Sequence, residues 1–264
     1  MKRIFTFWEP RDTIPGYLKL CMQTWHKFLP EYEVVVLDYS NLDQWLGKNC
    51  YDPSLYTNFS LPKQADAVRC AVLLRWGGVW FDTDIVVTSK KAIKLLRPEA
   101  EFTLLGKHIG FIVAQKNAKI LHFWEIGIRL LIALYAFCQG EGYLAKKMKR
   151  WRLLSNGLER FDFLGYLPLK IPLKVASISA TAFKSIDKIA VNALPELSIA
   201  REMDAGEKYI NFYFSDASIE SAINNGGILY LHNSWTPERY KLMSENEFLS
   251  QDIVLAKILR HLLL

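Results

Sequence analysis

The fold of this 264-residue chain is decided by one stretch, Leu61-Pro-Lys-Gln-Ala-Asp66-Ala-Val-Arg69-Cys-Ala-Val-Leu-Leu-Arg-Trp-Gly77-Gly78-Val-Trp-Phe81-Asp82-Thr-Asp84-Ile-Val-Val87. The pattern predicts a helix, a diglycine turn and a short buried strand, with two aspartates where the strand ends. Gly77 and Gly78 end the helix because glycine adopts the backbone conformations that a tight reversal requires. Asp66 and Arg69 are three positions apart and therefore project from one face of the helix.

Asp82 and Asp84 are the most informative residues of this stretch. Residues 79–81 are β-branched and aromatic, as a central strand prefers, and acids two positions apart on a strand point to the same side. Two such carboxylates are costly unless a cation neutralises them. Carboxylates completed by phosphate oxygens are usual ligands of Mg²⁺ or Mn²⁺. The pattern predicts a divalent-metal site, and the alternative is an ordinary strand end whose acids are solvated or pair with Lys or Arg.

The first part of the chain predicts an α/β fold. Apolar runs predict alternating elements, namely strand Lys2–Trp8, helix Gly16–Phe28, strand Glu33–Asp38, helix Leu42–Leu46 capped by Asn41, a polar loop Asn49–Ser60, and then the helix and strand quoted above. Such alternation implies right-handed crossovers and a mainly parallel sheet flanked by helices. Ligands bind beyond the carboxyl ends of the strands in such sheets, where Trp8, Asp38 and the aspartate pair are expected.

After Val87 the pattern is less regular. It predicts helix Lys90–Leu96, strands Glu101–Leu105 and Gly110–Ala114, and a long helix from Asn117 to about Phe137 that buries Ile120, Phe123, Trp124 and Leu131. Phe161–Ala200 is expected to form strands and loops that close over an acceptor pocket.

The end of the chain carries a second polar cluster. Gly226–Trp235 predicts a diglycine turn and a buried strand, followed by His232, Asn233, Ser234 and Trp235. Beyond this cluster, Glu245–Leu264 is amphipathic and is expected to pack on the domain, with a membrane surface as the alternative.

The composition describes an ordinary globular chain, 51% hydrophobic and 23% charged. Its net charge of +6 suits an anionic ligand or an anionic membrane surface. The alternative is that the charged residues only form a solvated face of the protein. No nucleic-acid-binding motif accompanies the charge, so no nucleic-acid partner is expected. The basic stretch Leu144–Leu154 is interpreted as a solvated helix face or as an interfacial site for anionic lipid headgroups or a lipid-diphosphate carrier.

Cysteine usage and the lack of targeting signals bear on the compartment. The four cysteines form no CxxC or Cys/His metal pattern, and Cys21 and Cys70 are expected to be buried thiols. Without a disulfide framework a reducing compartment is favoured. No signal peptide is recognised, and no apolar run approaches the roughly 20 residues of a membrane span, the nearest being Ile126–Phe137. We expect a cytoplasmic protein, peripheral on the inner face of the cell membrane if the basic stretch binds lipid.

One composite motif gives the chain a family resemblance. The run from Ala65 to Asp84 resembles the DXD sugar-binding region of glycosyltransferases related to capsular polysaccharide synthesis proteins and initiating α-1,6-mannosyltransferases. The large clostridial glucosylating toxins carry a similar core. The same pattern is matched in order by Phe5-Thr-Phe-Trp8, by Gln23-Thr-Trp25 with Leu29-Pro30-Glu-Tyr32, and by His232-Asn-Ser-Trp235. The resemblance covers roughly the first 115 residues and the segment 226–235.

The resemblance implies a fold and a domain organisation. It implies a GT-A-type, Rossmann-like α/β fold with a mixed, mainly parallel sheet flanked by helices, formed by residues 1–264 as a single catalytic domain. Residues 1–115 would form the nucleotide-sugar-binding core, and 138–225 an inserted helical region on the acceptor side. Residues 226–264 would form a closing strand and a C-terminal helix.

The resemblance also implies roles for individual residues. Trp8 would stack on the nucleotide base, unless it is a core residue. Asp66 and Arg69 would hold donor sugar hydroxyls, with Arg69 also reaching a phosphate oxygen, unless they only form a helix ion pair. Asp82 would contact the ribose or the sugar and a metal-bound water, and Asp84 would bind the metal directly.

The late cluster would complete this site. His232, or its neighbours Asn233 and Ser234, would complete the shell of a Mn²⁺ or Mg²⁺ ion, and Trp235 would contact the leaving diphosphate. Ser234 and Trp235 are accordingly expected to bind the donor, whereas a structural role for His232 is the alternative.

The implied activity is that of a metal-dependent, retaining glycosyltransferase. It would move a hexose or N-acetylhexosamine from a nucleotide diphosphate sugar, with a UDP-sugar favoured by analogy, to a surface-glycan acceptor in capsule, O-antigen, lipopolysaccharide or lipid-linked oligosaccharide. One alternative is a catalytically inactive nucleotide- or sugar-binding relative. The other is a phosphotransferase of the haloacid-dehalogenase type, which is disfavoured because that family places its DxD on the first strand.

Overall fold

The computed structural model describes residues 2–97, 100–105, 108–139, 168, 191–194, 205–216, 219 and 227–264. The predictions for the basic stretch Leu144–Leu154, for most of Phe161–Ala200 and for Gly226 lie outside these residues. The chain divides into two compact units, the first made of residues 1–36, 81–97 and 195–264 and the second of residues 37–80 and 98–194. The predicted division into 1–115, 138–225 and 226–264 stays a prediction.

The first unit begins with two strands that are neighbours in a sheet, β1 (Lys2–Phe7) and β2 (Tyr32–Leu37), joined by helix α1 (Gly16–Phe28). Its second sheet pairs β4 (Ile85–Val87) with β8 (Ile228–Tyr230) in antiparallel register. Within the described residues of this unit, further α-helices are α5 (Ala92–Leu95), α7 (Ala205–Tyr213), α8 (Glu238–Lys241), α9 (Glu245–Leu249) and α10 (Val254–Leu263). The C-terminal pattern thus forms separate helices, whose apolar residues are buried in this unit's core, as expected for packing rather than for a membrane surface.

The second unit contains the helices α2 (Leu42–Leu46), α3 (Pro53–Tyr56), α4 (Leu61–Trp76) and α6 (Lys119–Gln139). Its strands are β3 (Gly78–Phe81, ending at the unit boundary), β5 (Phe102–Leu105), β6 (His108–Ala114) and β7 (Val191–Leu194), in the order β3-β6-β5-β7. β5 runs antiparallel to β6 and parallel to β7. The protein is therefore mixed α/β, with a mostly parallel central sheet flanked by helices, which confirms the predicted fold class.

The junction between α4 and β3 follows the predicted pattern closely. α4 ends at Trp76, and the next two residues have positive φ angles of 64° at Gly77 and 100° at Gly78. A Cβ atom on Gly77 would lie 2.6 Å from the backbone nitrogen of Lys116. Only glycine combines this backbone conformation with so close an approach. The chain can therefore reverse directly from the helix into the strand that leads to the two aspartates.

The strand that follows the aspartates is held on both edges. β8 pairs with one edge of β4. On the other edge, Trp25 Nε1 of α1 donates to the Ile85 carbonyl at 2.7 Å, and the Val87 amide donates to Thr24 Oγ1 at 2.9 Å. These contacts satisfy backbone groups that a third strand would otherwise pair. β4 is thereby fixed although it has only three residues.

Two local predictions are wrong in detail. Asn41 does not cap α2 through its side chain; Asp38 Oδ1 instead accepts from the Ser40 and Asn41 amides at 2.8 and 3.2 Å. An aspartate two or three residues upstream can take these amides because its carboxylate accepts several hydrogen bonds. The expected loop Asn49–Ser60 contains the short helix α3, whose four residues are too few to give a periodic signal.

Helix α6 differs from its predicted pattern. Ile120 and Trp124 are fully buried as expected, but Phe123 is 52% exposed and Leu131 is half-buried. Phe123 and Trp124 point about 100° apart around the helix, so only one of them can face the core. By length and composition alone, Lys119–Phe137 is long and apolar enough to cross a membrane. Inside the protein, 28% of this segment is buried. A membrane span was not expected from the sequence because the nearest apolar run, Ile126–Phe137, is too short. Helix α6 is longer than that run.

Candidate functional site

The two aspartates lie in a turn rather than on a strand. β3 ends at Phe81, β4 begins at Ile85, and the Ile85 amide donates to the Asp82 carbonyl at 3.1 Å. The strand-based reason for expecting both carboxylates on one side is therefore wrong, because the turn breaks the alternation of side chains. Asp84 is buried, with 9% of its surface exposed, and Asp82 is half-buried.

The segment that follows β8 holds this turn. The Asn233 amide donates to Asp84 Oδ2 at 2.8 Å, and the Leu231 amide donates to the Asp84 carbonyl at 3.1 Å. The Tyr230 hydroxyl donates to Asp82 Oδ2 at 3.2 Å. Each aspartate is thus bound by a residue almost 150 positions further along the chain. The turn with the two aspartates and the segment of the late polar cluster therefore contact each other within the first unit.

The residues of the late cluster have different surroundings. Residues 233–235 form a short 3₁₀ helix. The ring of His232 packs on the ring of Trp235, with centroids 4.0 Å apart. Ser234 is exposed. The Asn233 side chain accepts a hydrogen bond from the Tyr17 hydroxyl at 2.5 Å. The choice of metal ligand among His232, Asn233 and Ser234 stays open, but the Asn233 oxygen already has a structural partner.

Two buried tyrosines bracket this cluster. Tyr17 lies in the first turn of α1, and its hydroxyl also lies 3.3 Å from Thr236 Oγ1. Tyr209 of α7 lies 3.4 Å from the same Thr236 oxygen, and its hydroxyl accepts from the His232 amide at 3.3 Å. The pKa of both tyrosines lies above the ordinary value. The main cause is desolvation by burial, and the nearby Asp84 charge raises the pKa further. Both hydroxyls therefore remain protonated donors at neutral pH.

The second unit contains the predicted pair Asp66 and Arg69. Both side chains are buried, and Arg69 Nη1 lies 3.3 Å from Asp66 Oδ1. The Arg69 guanidinium also lies over the Trp80 ring, 5.0 Å from its centroid. The stacking and the ion pair fix the planar guanidinium in one orientation, which a carboxylate or phosphate partner can use. The ion pair given as the structural alternative is present, and a sugar-binding role stays a prediction.

Trp8 lies in the first unit directly after β1. It is partly exposed, it packs against the apolar core of that unit, and its Nε1 lies 3.3 Å from Thr13 Oγ1. The ring is thus supported by packing while part of it remains accessible. This placement is compatible with base stacking, and the role of Trp8 stays a prediction.

Metal binding at the two aspartates can be judged only from the chemistry of their side chains. Within the described ranges, no group of three or more His, Cys, Asp or Glu side chains could hold a metal ion by itself. The turn offers two carboxylates, of which Asp84 is oriented by the Asn233 amide. Mg²⁺ is commonly bound by one or two carboxylates, with substrate phosphates and water completing its shell. Asp82 and Asp84 therefore fit a divalent cation that binds together with a phosphate-bearing ligand, and the predicted set of Asp82, Asp84 and His232 stays a prediction.

Sequence reasoning did not identify four residues that contact this site. Tyr17, Tyr209, Tyr230 and Thr236 all bond to the DxD turn or to the late cluster. Tyr230 could have been found, because it lies two positions before His232 at the end of the same predicted strand. The other three carry no local signal. Cys21 and Cys70 are buried free thiols, as expected.

The solved structures similar to this chain include two glycosyltransferases, each 14% identical to it. "PaToxG Glycosyltransferase" is matched over 64% of this chain and 78% of that chain, with a TM-score of 0.35. The apo-form glycosyltransferase GlyE of Streptococcus pneumoniae TIGR4 is matched over 99% of this chain and 63% of that chain, with a TM-score of 0.42. This chain thus spans less than two thirds of the length of GlyE.

Comparison with sequences gives one family. No curated protein matches the chain. Residues 1–129 match the family model described as capsular polysaccharide synthesis protein. This range contains the helix with Asp66 and Arg69, the diglycine turn and both aspartates, but not the late segment 226–235 that the resemblance also covered. The resemblance is thus confirmed, and residues 1–129 carry the sequence pattern of the capsular polysaccharide synthesis protein family.

Proposed function

We propose that this chain is a metal-dependent, retaining glycosyltransferase. It would transfer a hexose or N-acetylhexosamine from a nucleotide diphosphate sugar to a surface-glycan acceptor. The observation that carries the proposal is the 2.8 Å hydrogen bond from the Asn233 amide to Asp84 Oδ2. This bond joins two motifs that are far apart in sequence and that the resemblance assigns to the same glycosyltransferase pattern. The family match over residues 1–129 supports the transferase class.

Asp82 and Asp84 would hold the cation, with His232 or a neighbouring residue adding a further ligand. Bound Mn²⁺ or Mg²⁺ would supply Lewis-acid stabilisation of the departing diphosphate. The protein's own contribution is to orient the carboxylates before the ligand arrives. The Asn233 amide and the Tyr230 hydroxyl perform this task at Asp84 and Asp82. Such preorganisation avoids rearranging dipoles during the reaction.

The donor would be held by residues that the resemblance names. Asp66 and Arg69 would bind sugar hydroxyls, and the fixed guanidinium of Arg69 would also contact a phosphate oxygen. Trp8 would stack on the base, and Ser234 with Trp235 would contact the diphosphate. A UDP-sugar is favoured only by analogy with the family. The side chains of Asp66, Arg69, Trp8 and Trp235 are already restrained by packing, ion pairing or hydrogen bonds.

The reaction would need no dedicated base from the protein. In retaining enzymes of this kind, a phosphate oxygen of the leaving group can deprotonate the incoming hydroxyl. The bond from the anomeric carbon to the phosphate oxygen would break, and a bond to the acceptor oxygen would form on the same face. Donor positioning and charge stabilisation would then supply most of the rate.

Calorimetry with UDP and GDP, with and without Mn²⁺, tests this proposal. We expect nucleotide binding that depends on metal and is lost in Asp84→Asn, which keeps the shape of the side chain but removes its charge. Asp252→Asn is a matched control, because Asp252 is 80% exposed and pairs only at the surface with Lys257. Equal metal-dependent binding by Asp84→Asn and the wild type would refute the metal assignment.

The acceptor and the location of the enzyme form a separate proposal. A capsule, O-antigen, lipopolysaccharide or lipid-linked precursor would place the enzyme in the cytoplasm, peripheral on the inner membrane face. Net charge of +6 and the basic stretch 144–154 support contact with anionic lipid. Flotation with vesicles that contain or lack phosphatidylglycerol tests the contact. No preference for the anionic vesicles would refute it.

Two alternative functions have different expected results. A catalytically inactive relative would bind nucleotide but would not hydrolyse any nucleotide sugar in a donor screen. A haloacid-dehalogenase-type phosphotransferase would release phosphate from phosphate esters. This second alternative is disfavoured because β1 and β2 both precede Asp82 in the chain.

A further inference from the structure

A continuous set of hydrogen bonds links α1 to Asp84. The Tyr17 hydroxyl donates to Asn233 Oδ1 at 2.5 Å, and the Asn233 amide donates to Asp84 Oδ2 at 2.8 Å. Tyr17 is fully buried and Asp84 nearly so. One side chain of α1 therefore restrains the residue that binds the Asp84 carboxylate.

The position of Tyr17 is itself fixed by packing. Its ring stacks on Phe248 of α9, with centroids 5.5 Å apart. The preceding residue, Gly16, lies so close to the loop before α9 that a Cβ atom would come within 2.6 Å of the Met243 carbonyl oxygen. The first turn of α1 thus cannot shift without disturbing the loop before α9. The Tyr17 hydroxyl is consequently presented from a rigid element.

The other end of the cluster is held separately. Tyr209 accepts from the His232 amide, and both tyrosine hydroxyls lie within 3.4 Å of Thr236 Oγ1. The segment from His232 to Thr236 is therefore restrained at its start, its middle and its end. The contact made by Tyr17 is the one to Asn233, the residue whose amide binds Asp84.

We infer that Tyr17 is a positioning residue for Asp84. Its hydroxyl would hold Asn233 so that the Asn233 amide binds one carboxylate oxygen and sets the plane of the carboxylate. The inference rests on the proposed function, because Asp84 would use this orientation to hold a cation with the donor diphosphate. Tyr17 itself would touch neither the cation nor the donor.

The test compares Tyr17→Phe with Tyr240→Phe. Tyr240 is a suitable control because it is also buried in the first unit, and its hydroxyl accepts a hydrogen bond from Arg239 at 2.8 Å rather than bonding to Asn233. The first readout is amide hydrogen exchange at Asn233, measured by NMR without ligand. We expect about tenfold faster exchange in Tyr17→Phe, the effect of losing one hydrogen bond, and no change in Tyr240→Phe.

The second readout is UDP affinity with and without Mn²⁺. We expect Tyr17→Phe to weaken binding about tenfold in Mn²⁺ and to leave metal-free binding unchanged, whereas a general loss of structure would weaken both. Unchanged exchange at Asn233, or faster exchange with unchanged Mn²⁺-dependent affinity, would overturn the inference. Wild-type protein that binds no nucleotide would overturn the proposed function, and with it the role of Tyr17 toward a ligand. Exchange at Asn233 would still decide the hydrogen-bond chain in that case.

A second variant covers the outcome that Tyr17→Phe fails to fold. Asn233→Ala removes the acceptor at the other end of the same hydrogen bond and keeps the amide that binds Asp84. We expect the same selective loss of Mn²⁺-dependent affinity. An Asn233→Ala variant with wild-type affinity in Mn²⁺ would overturn the inference. If both single variants fold, the double variant should be no weaker than Asn233→Ala alone.

Discussion

Replacing Thr24 with valine should release the strand that follows the two aspartates. Thr24 is fully buried in α1, and its hydroxyl both accepts from the Val87 amide at 2.9 Å and donates to the Cys21 carbonyl at 2.6 Å. Valine has nearly the same shape but cannot accept a hydrogen bond. The Val87 amide would then be buried without its acceptor on the edge of β4 that faces α1.

The expected cost follows from this geometry. A buried donor that loses its acceptor costs about 1 to 3 kcal/mol of unfolding free energy. The added methyl group offsets only part of this cost, because the site is filled and a hydroxyl is exchanged for carbon. For a chain of this size, each kcal/mol lowers the melting temperature by roughly 2 to 4 °C.

The matched control is the same substitution at Thr6. Thr6 is also fully buried in the first unit, but its hydroxyl has no hydrogen-bond partner in the part of the chain that the structure describes. Thr6→Val should therefore be neutral or stabilising. Urea unfolding measures both variants, and hydrogen exchange at Val87 should accelerate only in Thr24→Val. Equal stability changes in the two variants would refute the argument that α1 satisfies the edge of β4.

Three further predictions concern stability. Arg69→Ala removes the cation 3.3 Å from the buried Asp66 carboxylate and should cost about 3 to 5 kcal/mol in urea unfolding; a loss below 1 kcal/mol would contradict it. Gly227→Ala should destabilise the protein more than Gly47→Ala: both glycines have positive φ, but a Cβ on Gly227 would collide with the backbone of α5, whereas one on Gly47 meets nothing within 4 Å. Equal unfolding free energies for these two variants would refute the steric argument. Burial raises the pKa of Tyr213 from 10 to about 12, so its neutral form stabilises the folded state fully below pH 10, and this contribution is lost as the pH rises from 10 to 12. Tyr213→Phe should weaken the alkaline loss of stability by up to about 1.4 kcal/mol per pH unit in urea unfolding between pH 8 and 11.5, and an unchanged pH dependence would contradict this.

Local elements were predictable because their signals are local. The bounds predicted for α1 and α2 agree with the structure, and β3 begins only one residue before its predicted start. These elements carry apolar periodicity, β-branched residues or glycines at their ends, and each signal acts over a few neighbouring residues. The family resemblance also rested on a compact run of residues, and the match over 1–129 confirms it.

Predictions that depended on surroundings were less successful. Phe123 and Trp124 are equally apolar, and only the packing of α6 decides that Trp124 is buried while Phe123 is exposed. Asp82 and Asp84 were expected on a strand, but the chain turns there because β4 pairs with β8 rather than continuing β3. Neither choice is encoded in the neighbouring residues.

The sequence by itself determined which residues are candidates for the chemistry: two acids after a diglycine turn, an acid and an arginine on the preceding helix, and a late cluster around His232. The tertiary structure alone decided how the acids are oriented. Asp84 is bound by the Asn233 amide, 149 residues away, and Asn233 by Tyr17, 216 residues away. A hydrogen bond over such a separation depends on where the intervening chain folds. Local periodicity therefore cannot predict it.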